Sequence, residues 1–320
     1  MTIELGPFAE FIDSRVWGAG WYPELANLPV FAPLFAGQRL SSIDFEPLPD
    51  HVFMSLFDEA RDYAIASVAG RNLPVHTAEA HFDDVVKYGL AQFRVTYPDC
   101  ETNPFHKFVY QLLAIGLILH DCHHTGSTFL FEALDPSWVP DGNVHVAMEW
   151  VSATRAVEFL QSRLQSPFGL LLVACIILYT TFGGTAAKAK GIHNIPIVED
   201  EHYTLPIFCI VRTSDVQPPA AVVQSIDKGL KLAFWEHPGF PVDRSYSAFI
   251  EDQLRFFDYV LKCYNALEQA VNYDVAGILG WRELLGNYIS LFRAIQNGHR
   301  PEWENYIRAQ LASKPYYIYD

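Results

Sequence analysis

The chain has no CxxC pair, no apolar stretch long enough to cross a bilayer, and far fewer basic than acidic residues. Each shortage narrows the function. The five cysteines (Cys100, Cys122, Cys175, Cys209 and Cys263) are odd in number and scattered. That argues against a disulfide framework or a cysteine-built zinc module and suits reduced thiols. The longest apolar run, Gly169–Tyr179, has eleven residues, where about twenty are needed to span a membrane. It predicts a buried helix instead. The opening MTIELGPFAEF has neither a basic nor an apolar leader region, so the expected location is cytoplasmic. Lys and Arg total 22 against 37 Asp and Glu, a net charge of −15. Nucleic acid and anionic membrane are therefore not expected partners, since both need a cationic surface. A small anionic substrate remains open, because a bound metal ion inverts the local field. Repeats, low-complexity tracts and interdomain linkers are also missing.

What the chain does have is core material. Half of its 320 residues are hydrophobic, 14% are aromatic and only 18% are charged, which is unlike a disordered chain. Residues 1–50 are rich in Pro, Gly and aromatics without a sustained period, and predict an irregular N-terminal arm packed on the body. From there helical periodicity dominates, near 51–70, 79–93, 104–120, 145–164, 168–180, 206–214, 219–236, 246–272, 275–296 and 301–312. Pro104, Pro206, Pro219 and Pro301 sit where a first helical turn would begin. The run from Ile195 to Val211 has some strand character, weakened by Pro196 and Pro206. The expected architecture is all-α, with residues 51–320 forming a single compact multi-helix domain.

The chemistry concentrates in LILHDCHHTG, residues 117–126. His120, Asp121, His123 and His124 close a long apolar run, and imidazole with carboxylate is a donor set for Zn, Fe, Mn or Mg. Cys122 is expected to point into the core. His123 is expected to be structural. Upstream lies HTAEAHFDDV with His76, His81, Asp83 and Asp84. Downstream lies SDVQPP, where Asp215 alone would read as a helix cap. Further on, Gln253 heads an apolar stripe containing Phe256, Phe257, Val260, Leu261, Tyr264 and Leu267. A buried amide there needs partners, supplied by the core or by a ligand.

Taken in order, these four segments resemble the class I cyclic-nucleotide phosphodiesterases of the HD superfamily. That family carries YHNxxHAxDV, then HDxxHPG, an ADLS-type Asp, and QxxFxxxxxxP, and the match covers about residues 70 to 270. The resemblance implies an HD-type phosphodiesterase fold and two divalent metal ions, zinc with magnesium or manganese. His81, His120, Asp121 and Asp215 would hold the first metal, and Asp121 would bridge to the second. Two such cations about 3.5–4 Å apart polarise a phosphodiester and make hydroxide from water. His76 would protonate the leaving oxygen, and His124 would stand beside the hydroxide. Asp84 and Glu149 would orient ligands or water. Gln253 would bind the base edge and Phe256 would stack on it. The implied reaction is hydrolysis of a 3′,5′-cyclic nucleotide, with a small-molecule nucleotide as partner and a homo-oligomer left open.

The sequence also departs from the family pattern. His76 and His81 are five residues apart rather than four, Thr125 replaces the Pro of HPG, and Pro218 stands where the family has a base-contacting Asn. EWVS, from Glu149, and TTFGGT, from Thr180, replace segments that carry His and Asp in the family. Two other readings therefore stand beside the first. One is a different HD-fold metalloenzyme, a nucleotide phosphohydrolase or a di-iron oxygenase. The other is a catalytically degenerate nucleotide-binding regulator.

Overall fold

A computed structural model describes residues 46–71, 75, 79–124, 144–180, 206–232 and 245–313. The N-terminal arm expected over 1–50 falls almost wholly outside these residues. The described residues fold into eleven helices and no strand. They are α1 (Asp50–Val68), α2 (Glu79–Thr96), α3 (Pro104–Leu119), α4 (Val144–Leu160), α5 (Pro167–Leu178) and α6 (Pro206–Val216). Then follow α7 (Val222–Lys231), α8 (Tyr246–Val271), α9 (Val275–Ile278), α10 (Trp281–Gln296) and α11 (Pro301–Ala312). The protein is all-α, and no helix among the described residues is long and apolar enough to cross a membrane.

The helix starts follow from local chemistry. Asn103 caps α3 by accepting from the N–H groups of Phe105 and His106 at 3.0 and 3.3 Å. Ser166 caps α5 through Gly169 N–H at 3.0 Å, and Ser245 caps α8 through Ala248 N–H at 3.2 Å. Such caps satisfy N–H groups that the helix itself leaves without partners. Pro104, Pro206 and Pro301 are first helical residues, as expected, while Pro219 lies three positions ahead of α7. The helix expected over 275–296 is two helices. Gly280 takes φ +72° and restarts the chain as α10, a left-handed conformation that glycine adopts without steric cost.

The Gly169–Tyr179 run forms α5 and the residue after it, and every residue is buried. α5 packs against α3 and α4, and α3 packs in turn against α1 and α2. The α3–α5 contact is close: a Cβ on Gly116 would lie 2.5 Å from Ile176 Cγ2. These helices make one apolar core, with Leu112, Ile115, Leu172 and Ile176 fully enclosed. A second core joins α7, α8, α10 and α11 around Phe257, Tyr264, Tyr288 and Phe292. α6 belongs to both. Ile207–Val211 lie in the first core and Val216 in the second, so Asp215 sits where the two cores meet.

Candidate metal centre

Three helix ends bring the ionisable groups together. His81 is in the first turn of α2, His120 caps the C-terminus of α3, and Asp215 ends α6. α2 packs on both α3 and α6, so residues spread over 135 positions of sequence meet in space. His81 Nε2 and His120 Nε2 are 3.3 Å apart. Asp215 Oδ1 is 3.6 Å from the first and 3.4 Å from the second. Asp121 Oδ2 is 3.2 and 3.1 Å from the same two nitrogens. His81, His120 and Asp121 are buried, and Asp215 is only partly exposed at its side chain.

His81, His120 and Asp215 form a group that could hold a metal ion. The arithmetic supports this. Edges of 3.3, 3.4 and 3.6 Å put all three donor atoms about 2.0 Å from the centre of their triangle, the length of ordinary metal–imidazole and metal–carboxylate bonds. The donor chemistry fits as well. His120 Nδ1 donates to Leu117 O at 2.7 Å, which turns the Nε2 side of the ring toward the cluster, as a carbonyl partner does for metal-bound histidines. Two buried carboxylates beside two imidazoles need a compensating positive charge. Burial pulls the His120 imidazole down, but Asp121 and Asp215 together outweigh it and hold it well above the ordinary histidine range. Burial is also the main reason His81 falls to about 4, against the opposing pull of Asp121. Without a cation, a proton on His120 does part of the cation's work.

The turn after α3 is held from two sides. Ser152 Oγ on α4 donates to Cys122 O at 2.7 Å, and Cys122 Sγ donates back to Ser152 O at 3.3 Å. On the α1 side, His123 N–H donates to Ser67 Oγ at 2.8 Å, and Tyr63 OH meets His123 Nε2 at 2.9 Å. His123 takes φ +62° and is tied to α1 by these two contacts. Cys122 points into the core, as expected, and burial raises its thiol pKa. His124 is buried in the same turn, its N–H on Asp121 O at 2.9 Å.

A polar brace that the sequence reading did not single out supports Asp215. Gln92, fully buried on α2, accepts from Thr213 Oγ1 at 2.5 Å and donates to Ser214 Oγ at 3.2 Å. The brace fixes α6 against α2 just before Asp215. Its signal in the sequence was one glutamine on an apolar helix face, indistinguishable from an exposed one without the fold.

The remaining candidates are placed as follows. His76 and its neighbour Thr77 lie outside the described residues. Asp84 lies one turn beyond His81 and lines a cavity of about 280 Å³ between α2, residues 214–219 and α7. His81, Tyr88, Asp215, Gln217 and Lys228 share that lining. Glu149 is half-buried on α4. Gln253 is buried on α8 with its amide against Gly229, where a Cβ would lie 2.6 Å from Oε1. Phe256 packs against the second core, its ring 5.6 Å from that of Phe257. Neither is in the described lining of the cavity. The amides that do line it are Gln217 and Gln224, neither of which the sequence singled out.

Comparison with known proteins adds no family: no family model matches the chain, and no curated protein and no solved structure matches it significantly.

Proposed function

We propose that this chain is a metal-dependent phosphoester hydrolase, with a 3′,5′-cyclic nucleotide as the first candidate substrate. The observation that carries the reading is the buried meeting of His81, His120, Asp121 and Asp215, the four residues that the phosphodiesterase resemblance names as ligands. His81, His120 and Asp215 would hold the ion, with Asp121 beside them or bridging to a second. A divalent cation held there supplies Lewis acidity and lowers the pKa of bound water. The chain's own part is orientation. The Leu117 carbonyl fixes His120, the Gln92 brace fixes Asp215, and Asp84 faces the same cavity as His81. In this reading His76 protonates the leaving oxygen and His124 stands beside the attacking water.

A second reading, a nucleotide phosphohydrolase of the same superfamily, draws support from one observation. Of the residues that would clamp a cyclic nucleotide's base, Gln253 has its amide against Gly229 and Phe256 packs on the second core, and neither is in the described cavity lining. A single experiment separates these readings from each other and from a degenerate regulator. Purified protein is assayed for metal by elemental analysis, then for hydrolysis of cyclic nucleotides, nucleoside triphosphates and bis(4-nitrophenyl) phosphate, with and without chelator. The proposal expects bound metal and chelator-sensitive turnover of at least one phosphoester. Bound metal without turnover of any would mark a regulator, and absence of metal would refute the site.

A further inference from the structure

We infer that Tyr88 and Gln217 form a subsite for a flat, hydrogen-bonding ring of the nucleobase kind, in the cavity beside the His-Asp cluster. The inference deepens the phosphoester reading and rests on it only in joining that ring to the scissile group.

The α2 face that lines the cavity changes character along its length. His81, Asp84, Val85 and Tyr88 all line it, and their spacing of three, four and seven residues is that of one helix face. The ionisable groups come first and the aromatic one last. Seven residues at a rise of 1.5 Å put Tyr88 about 10 Å along the axis from His81. Long side chains on a helix lean back toward its N-terminus, which here is the direction of the cluster. That spacing leaves room for a sugar between a phosphoester at the metal centre and a ring at Tyr88.

Tyr88 is half-buried. Its ring meets Trp281 at nearly a right angle, 5.5 Å between centroids, and Trp281 also packs against Tyr264 at 5.9 Å. Trp281 thus seats Tyr88 next to the tyrosine that holds Gln217. The other contact on the Tyr88 ring, Lys87 Nζ at 5.8 Å, comes from an exposed side chain. Aromatic surface of Tyr88 is therefore left to the cavity.

Gln217 is 2% exposed and lines the same cavity. A primary amide accepts through its oxygen and donates through its nitrogen. Tyr264 OH donates to Gln217 Oε1, and Gln217 Nε2 lies 3.4 Å from Pro218 O. The reverse rotation would set Oε1 against the Pro218 carbonyl, two acceptors with no proton between them. With its oxygen committed to Tyr264, what the amide can offer a ligand is N–H. The contact with Pro218 O is long, so an N–H remains for a ligand acceptor. An amide held from behind also loses little freedom when it binds.

A nucleobase matches both residues. Its flat face packs on an aromatic ring, and its edge carries nitrogens and oxygens that accept from N–H. A sugar phosphate without a base offers no such face. The pair also differs from the one named by the motif resemblance, since Gln253 and Phe256 are not in the described lining.

The test uses the full chain, first without metal. Adenosine, guanosine, cytidine and uridine, with ribose as the ringless control, are titrated into chelator-treated protein and followed by saturation-transfer NMR. Wild type is expected to bind at least one nucleoside and not ribose. Tyr88→Ala should weaken that binding about tenfold or more, the size of a lost stacking contact, and Tyr88→Phe should keep most of it. Gln217→Leu should weaken it about threefold or more through the lost hydrogen bond. If wild type binds no nucleoside, or if either folded variant binds as wild type does, the subsite is refuted. Should Gln217→Leu fail to fold, Tyr88→Ala decides alone, since Tyr88 is only half-buried. A loss seen in Phe256→Ala and not in Tyr88→Ala would put the ring on α8 and likewise refute it. The metal-loaded protein then tests the link to the substrate. Nucleotide turnover with KM raised about tenfold in Tyr88→Ala supports a substrate-borne ring, and an unchanged KM overturns that assignment. Nucleoside binding without turnover of any phosphoester supports the subsite and overturns the hydrolase reading.

Discussion

Replacing Asp215 by Asn keeps the shape of the side chain and removes its charge. In the metal-free protein Asp215 attracts His120 at 3.4 Å, but it also shares that imidazole with Asp121 at 3.1 Å. His120 keeps its nearer carboxylate in the variant, and the burial of a second carboxylate is relieved. These effects oppose each other, so the metal-free stability should change by no more than about 1–2 kcal/mol, below the 3–5 kcal/mol typical of a buried pair left uncompensated. With metal the two proteins should separate. An ion present at about 100 times its dissociation constant stabilises by roughly 2.7 kcal/mol. For a chain of this size that raises Tm by about 5 °C. Asp215→Asn loses an anionic donor from the group of three, so its shift should stay below about 2 °C at the same metal concentration. Differential scanning fluorimetry, run in chelator and then across Zn, Mn and Mg, reads both halves. A variant that gains as much Tm as wild type would show that Asp215 is not a ligand. A wild type that gains nothing with any divalent ion would show that the cluster is an ordinary buried ion network.

Three further outcomes are expected. Gly116→Val should cost about 1–3 kcal/mol by overpacking the α3–α5 contact, because a Cβ there already meets Ile176 at 2.5 Å; the urea midpoint measures it, and an unchanged midpoint would show that the helices can separate freely. Gln92→Leu should cost about 1–3 kcal/mol by removing both α2–α6 hydrogen bonds of the brace, while Thr213 and Ser214 keep backbone acceptors at Cys209 O and Ile210 O, and should weaken metal binding in calorimetry through Asp215. All five cysteines are buried, and burial raises the thiol pKa of each, Cys175 and Cys209 to about 12. Ellman's reagent should therefore find no fast-reacting thiol in the native protein and five in denaturant, and a fast native thiol would contradict this packing.

Most helices were legible because their signals are local. Proline at N1, an Asn or Ser cap and a 3.6-residue apolar rhythm need no knowledge of the rest of the fold, and α3, α5, α8 and α11 begin within a residue of where those signals put them. The break at Gly280 was not legible, because the apolar pattern continues through it and only the left-handed backbone reveals it. The His-Asp cluster was legible as ordered motifs. Asp215 is the telling case: by itself it looks like a cap, and only the α2–α6 packing carries it to His81 and His120. Gln217 and Tyr264 were illegible for the opposite reason. Their hydrogen bond joins positions 47 apart, and in sequence one is a loop glutamine and the other a member of an apolar stripe. Polar residues that act in pairs across helices leave no periodic trace.

The most direct test of the metal centre is X-ray absorption on the protein reconstituted with one equivalent of zinc or manganese. The account expects stoichiometric binding, with a first shell of nitrogen and oxygen at about 2.0–2.2 Å and multiple scattering from two imidazoles, falling to one in His120→Ala. Failure to bind metal, a sulfur shell, or an imidazole signal unchanged in His120→Ala would contradict it.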